Sequence, residues 1–224
     1  MSVINTNVAA IKARSNLERV QRDMDTSIAR LSSGKRITSA RDDAAGSAIV
    51  GRMDSQIRGL TMGIRHAKDG QSLVDTQEGA LQEVTALLQR MRELAVQAGS
   101  GVATNTDKNY LQVEMGHLVD EIDAISDSTK FNDQRVLTGA TFSFYTDIDV
   151  AGTAVTTVAA SAAAARIGIT KANVSIGAGT STNALLQAVI TKVDNAIGSI
   201  ASFRANLGAV SNRFDHIIDN LTNV

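Results

Sequence analysis

The 224-residue chain contains no cysteine, no proline and no tryptophan, and aromatic residues make up only 3% of it. Without cysteine there is no disulfide scaffold, no thiolate nucleophile and no Cys-ligated metal, although the compartment stays open because secreted chains need not carry bridges. Without proline the strongest helix breaker is missing, which permits very long uninterrupted helices. With five Phe and two Tyr as the only aromatics, a core must come from Leu, Ile, Val, Met and Ala, which suits thin helix seams. No run of apolar residues is long enough to span a bilayer, and the start MSVINTNVAAIKAR lacks the basic-then-apolar order of a cleavable signal peptide. Export, if it occurs, is read by another route. What is present, 43% apolar and 20% charged residues, is a soluble, foldable composition of one or two domains and excludes collagen or a fully disordered chain.

The net charge of −1 argues against a nucleic-acid binder or a polybasic membrane module, so neither partner is expected. The sum conceals an asymmetry. Residues 1–42 carry eight Lys/Arg and four Asp/Glu, net +4, whereas the remainder carries 14 and 19, net −5.

Apolar residues at Leu17, Val20, Met24, Ile28 and Leu31 are spaced to share one helical face, and Ile4, Val8 and Ile11 begin a similar stripe. The run Leu31-Ser32-Ser33-Gly34-Lys35 predicts the end of this helix near Gly34. A loop follows to about Asp43, where Asp42 or Asp43 can cap a second helix. That helix reads through Met53, Ile57, Leu60, Ile64, Ala67, Leu73, Val84, Leu87, Met91 and Leu94 and stops near Gly99. If continuous it covers about 55 residues and about 80 Å, which calls for an elongated body. Glycines 59, 63, 70 and 79 within it mark either close helix approach or, at Gly70, a break. A third helix is expected after Asn105-Thr106-Asp107, carrying Leu111, Met115, Leu118, Ile122 and Ile125 and ending before Lys130. From Thr141 to Val158, alternation of Phe142 and Phe144 with small polar residues, then Ile148, Val150 and Val155, reads as one or two hairpins. Ala162 to Ala165 fits either a short helix or a collapsed loop.

The last segment gives the clearest period: Leu186, Val189, Val193 and Ile197, then Ile200, Phe203, Leu207, Val210, Phe214, Ile217, Leu221 and Val224. From Ile200 the steps alternate three and four, the heptad seam of a coiled coil. It runs to the final residue without a cap, which predicts that the helix once continued. The expected fold is therefore mainly α: an elongated antiparallel helical bundle or coiled coil with a small β-hairpin region.

Enzymatic constellations are missing. The sequence has no HExxH, GxSxG, GxxxxGK[ST] or CxxC motif. His66, His117 and His216 stand alone on helical segments, and a metal site needs three or four converging ligands. Asp42-Asp43 reads as a cap, and Asp120, Glu121 and Asp123 as a hydrated helix face. The Gly177-Ala178-Gly179 turn lacks the strand and Lys of a phosphate loop. No catalytic residue, cofactor or metal is assigned. A basic amphipathic helix that cannot bury its stripe alone instead needs a partner helix, from its own chain or from another copy.

Val3-Ile4-Asn5-Thr6-Asn7, RLSSGKRITSARDDAAGSAI (Arg30 to Ile49), GLTMGIRHAKDGQSLVDTQEGAL (Gly59 to Leu81), LLQRMRELAVQA (Leu87 to Ala98), KFNDQRVL (Lys130 to Leu137) and RANLGAVSNRFDHIIDNL (Arg204 to Leu221) closely resemble bacterial flagellin, in family order over both ends of the chain. The resemblance implies a hairpin-shaped subunit of the flagellar filament. Residues 1–42 would be the N-terminal half of the inner terminal domain, 43–140 and 184–224 a rod-like helical domain, and 141–183 a short segment in place of large variable outer domains, giving a slim, smooth filament.

The same resemblance implies secretion, unfolded, through the flagellar type III export apparatus to an extracellular filament. Its implied partners are other copies in a helical homopolymer, the filament cap, hook-associated proteins and a vertebrate Toll-like receptor. Receptor contact is carried over to Gln89, Arg90, Leu94 and Glu114, with Leu94 as an apolar anchor. Flagellins also continue past the position matching Val224 with a helix that pairs with the N-terminal one and is gripped by an export chaperone. Residues 1–224 alone are expected to lack that half of the coiled coil. Two alternatives remain. A hook–filament junction protein shares the terminal helices, and a flagellin with a metallopeptidase insert would need zinc ligands between 141 and 183, where there is no His, Glu or Cys.

Overall fold

A computed structural model describes residues 7–146, 154–157, 160–177 and 183–223. The stripe position Ile4, the strand candidates Ile148 and Val150, and Val224 lie outside these. The chain is mainly α, in the order α1 (Val8–Ser33), α2 (Ala44–Ala98), α3 (Asn105–Ser128), β1 (Lys130–Phe131), β2 (Gln134–Arg135), β3 (Ser143–Phe144), β4 (Val155–Thr156) and α4 (Asn183–Asn223). It divides into two units, residues 1–58 and 59–224, with α2 contributing to both.

In the first unit, helix ends are set by local side chains. The Asn7 side chain accepts from the Ala10 N–H at 3.1 Å, satisfying a donor that the helix itself leaves unpaired, and Gly34 closes α1 in the left-handed conformation at φ 66°. The two aspartates that follow divide their labour. Asp42 gathers the Thr38 hydroxyl at 2.7 Å and the N–H groups of Thr38 and Ser39 at 3.1 and 3.2 Å, closing the loop on itself. Asp43 caps α2 by accepting from the Gly46 N–H at 2.8 Å. The Thr38 hydroxyl and N–H hold the Asp42 carboxyl below its ordinary range. No side chain of α1 is buried.

The second unit holds the core. Helix α2 continues through Gly70 without a break, and the glycine marks a close approach: a Cβ would lie 2.5 Å from the ring of Phe214 on α4. Gly63 meets a loop instead, its Cβ position being 2.5 Å from the Thr146 carbonyl oxygen, while Gly79 faces open space and marks no close approach. Helix α3 begins at Asn105, earlier than the sequence indicates, because Thr104 and Asp107 form a reciprocal capping box. Leu81, Leu88 and Met91 of α2, Met115 and Ile122 of α3, and Ile200, Leu207 and Phe214 of α4 are all fully buried or nearly so.

The heptad seam splits into two rows. Ile200, Leu207 and Phe214 are buried, whereas Phe203, Val210 and Ile217, with Leu221, are half-buried along the flank. Phe214 also meets Phe144 of β3 edge-to-face, ring centroids 5.8 Å apart. Between helices, Arg204 donates to the Glu78 carboxylate at 2.8 and 2.7 Å, Arg92 to Asp194 at 2.8 Å, and Gln71 to Asp215 at 2.8 Å, tying α4 to α2.

Strands β1 and β2 form a hairpin that the sequence reading took only as the end of α3. Asn132 and Asp133 both adopt positive φ, 49° and 60°, the backbone that a two-residue hairpin turn requires. The hairpin expected after Thr141 is present as the antiparallel pair β3–β4, Phe144 opposite Val155. Ala162 to Ala165 is a collapsed loop. Ala162 and Ala164 are buried, and the Ala164 N–H donates to Asp123 of α3 at 2.8 Å, so that carboxylate is a structural acceptor and not only a hydrated face.

Candidate functional site

The expected stripe on α1 is exposed along its whole length. Leu17 is 67% and Leu31 87% exposed, with Val20, Met24 and Ile28 more than half exposed between them. Around it stand Lys12, Arg14, Arg19, Arg22 and Arg30, of which Arg14 is paired with Glu18 at 3.3 Å. Burying a half-exposed aliphatic side chain of this kind is worth roughly 1 kcal/mol. Five in a row therefore form a strong adhesive face without any polar group that has to be matched. A second exposed patch, Ile49, Val50, Met53 and Ile57, lies on the first turns of α2. Sequence reasoning placed Met53 and Ile57 on the helix without singling out this surface. The signal was available in the steps of four from Ile49 to Met53 to Ile57.

The residues assigned to receptor contact are only partly brought together. Arg90 on α2 donates to one Glu114 oxygen on α3 from two nitrogens, at 3.0 and 2.8 Å, and to Glu93 at 3.1 Å. Gln89 is exposed beside it. The hydrogen bonds from Glu114 first, then Glu93, raise the Arg90 guanidinium above its ordinary value, so it stays cationic throughout the physiological range. Leu94 is fully buried. Its place on the apolar stripe of α2 turns it into the core, so in the free chain it lies beneath the ridge and does not present the apolar anchor that the family resemblance implied.

The histidines do not converge. His66 pairs through Nδ1 with the Tyr145 carbonyl at 2.9 Å, and no group of three His, Cys, Asp or Glu residues among the described residues could hold a metal ion. Among the same residues, no helix is long and apolar enough to cross a membrane. The chemistry on display is that of surfaces.

Two family models match the chain: the bacterial flagellin N-terminal helical region over residues 4–141, and the bacterial flagellin C-terminal helical region over residues 190–224. The chain belongs to the bacterial flagellin family. Among curated flagellins, Flagellin 1 of Proteus mirabilis is 48% identical over 137 residues, 61% of this chain and 38% of the relative. Phase 1 flagellin of Salmonella naestved is 47% identical over 135 residues, 60% of this chain and 27% of the relative. The matched portion is thus well under half of either relative's length. Among solved structures, the flagellin of Bacillus cereus superposes with a TM-score of 0.59 at 32% identity, covering 70% of this chain and 88% of that one. A structure described as a flagellar hook-associated protein from Vibrio parahaemolyticus gives a TM-score of 0.69 at 13% identity over 83% of this chain and 95% of that one. The helical fold is therefore also found in that structure, while the family models matched at both ends are those of flagellin. Flagellin is a structural protein family.

Proposed function

We propose that this flagellin is a subunit of an extracellular filament for swimming motility, joining other copies of itself in a helical polymer. The observation that carries the reading is the exposed stripe from Leu17 to Leu31 on a helix with no buried side chain. Most of a helix's stability in a protein comes from packing its amphipathic face, and the apolar face of α1 becomes stabilising when another helix covers it. Open growth requires this face to meet a different surface on the next copy, because heterologous contacts repeated by a screw operation give an open polymer. Delivery by the flagellar export apparatus, and contact with the cap and hook-associated proteins at the filament ends, follow from that role. The direct test adds labelled chain, continued by the C-terminal helix that pairs with the N-terminal one in flagellins, to flagellin filament seeds and scores elongation by electron microscopy. Incorporation is expected, and introducing charge by Leu17→Asp and Ile28→Asp should abolish it while the second unit stays folded. A chain that never incorporates while a control flagellin does would overturn the reading.

The reading also includes recognition by a flagellin-sensing Toll-like receptor. Its support is the exposed Gln89–Arg90–Glu114 ridge, where a guanidinium already held in place by a carboxylate can be presented at low entropic cost. In a receptor-ectodomain binding assay, Arg90→Ala should weaken binding about tenfold or more, the loss typical of an Arg hot spot. Unchanged binding would remove the ridge from the contact.

A further inference from the structure

Among the described residues the methionines fall into two classes. Met24, Met53 and Met62 are 52%, 54% and 44% exposed, whereas Met91 and Met115 are 0% exposed. The chain has no Cys and no Trp to compete for an oxidant, so the exposed thioethers are its most oxidisable accessible groups. Their neighbours differ. Met24 lies in the middle of the α1 stripe, one turn from Val20 and from Ile28; Met53 lies one turn from Ile49 and from Ile57. Met62 instead has Arg58, Arg65 and His66 at those spacings.

We propose that Met24 and Met53 are modification sites at which a hydroperoxide sets whether the chain can associate, the oxidised thioethers preventing the exposed stripes from being buried against another copy. This rests on the reading of those stripes as assembly surfaces. In the reaction with hydrogen peroxide, a sulfur lone pair attacks one peroxide oxygen, the O–O bond breaks and an S–O bond forms. The sulfur loses two electrons, and the second oxygen leaves with both protons as water. The product sulfoxide is a strong hydrogen-bond acceptor set between the aliphatic side chains Val20 and Ile28, or Ile49 and Ile57; Gln21, Ser27 and Gln56 lie three residues away at the edges of the stripes, and the Ser27 hydroxyl already donates to the Asp23 carbonyl. Burial of the stripe then leaves an unsatisfied polar group. Because methionine sulfoxide reductases reverse the change, the modification is a switch rather than damage.

The test treats the purified chain with hydrogen peroxide, maps sulfoxides by peptide mass spectrometry and measures incorporation onto flagellin filament seeds. Met24, Met53 and Met62 should gain oxygen before Met91 and Met115, and incorporation should fall about tenfold, the effect of one buried unsatisfied polar group. Enzymatic reduction of the sulfoxides should restore it. Met24→Leu combined with Met53→Leu should incorporate normally and resist peroxide, whereas Met62→Leu should remain sensitive. Normal incorporation of a chain fully oxidised at Met24 and Met53, or continued sensitivity of the double variant, would overturn the inference while leaving the filament reading intact. An untreated chain that does not incorporate would overturn both.

Discussion

Helices α1 and α4 carry apolar stripes of similar spacing and meet opposite fates. On α4, Ile200, Leu207 and Phe214 are buried against other elements of the same unit; on α1, Leu17 to Leu31 stay exposed. The difference is not in the stripe itself. It lies in what accompanies it. The α4 face has glycine at position 70 of α2 to admit Phe214, an edge-to-face partner in Phe144, and the polar ties Arg204–Glu78 and Arg92–Asp194 to fix its register. The α1 face has only self-contained capping at its ends and one exposed ion pair along its length. Periodicity states that a helix needs a partner; the devices of close approach and register state whether the partner is in the same chain.

The strongest challenge to this comparison puts charge into each stripe in turn. Leu207→Asp with Phe214→Asp should unfold most of the second unit, since large-to-small changes at such sites already cost about 3 to 5 kcal/mol each and a buried unpaired carboxylate adds more. Far-UV dichroism would show the loss. Leu17→Asp in α1 should leave the melting temperature of the second unit unchanged. Next in size is Gly70→Ala. Its Cβ would sit 2.5 Å from a buried Phe214 ring, so overpacking of about 1 to 3 kcal/mol should outweigh the helix-propensity gain of up to about 1 kcal/mol and lower the melting temperature. Gly79→Ala, which meets nothing within 4 Å, should raise it.

How far each outcome was foreseeable varies with the residue. The end of α1 at Gly34 and the start of α2 after Asp43 were legible because capping residues act locally, and the missing proline permitted a long α2, although a break at Gly70 stayed open. The seam on α4 was legible because its period is unbroken. The β1–β2 hairpin was not, since Asn132-Asp133 lacks the glycine that usually marks such turns and its strands are two residues each. Leu94 was misplaced for another reason. The apolar spacing of α2 already put it on one stripe with Leu87 and Met91, and its burial agrees with that spacing; the anchor role came instead from the carry-over of a family contact. The role of Asp123 as an acceptor depends on a loop 41 residues away, which no local pattern announces.

Two smaller effects sharpen the contrast at the level of polar groups. Because its hydrogen bonds depress the Asp42 carboxyl below its ordinary range, the stabilisation it gives the loop is complete above that range and is lost as the pH falls through the lowered value. Amide resonances of Thr38 and Ser39 should report this acid-limited change, and Asp42→Ala should remove it without altering the second unit. Arg90→Ala and Glu114→Ala should change thermal stability least, by about 0.5 kcal/mol or less, because the pair is half exposed to solvent. A large loss would mean that the ridge holds α2 to α3 rather than serving as surface.

Amide hydrogen exchange, followed by mass spectrometry on the chain before and after its addition to filament seeds, tests the central claim most directly. In the free chain, α1 should exchange nearly as fast as an unstructured peptide while α4 from Ile200 to Phe214 exchanges only by opening of the second unit, and α1 should become slow on incorporation. Slow exchange throughout Val8–Ser33 in the free chain, unchanged by seeds, would contradict the claim that this stripe is stabilised on assembly.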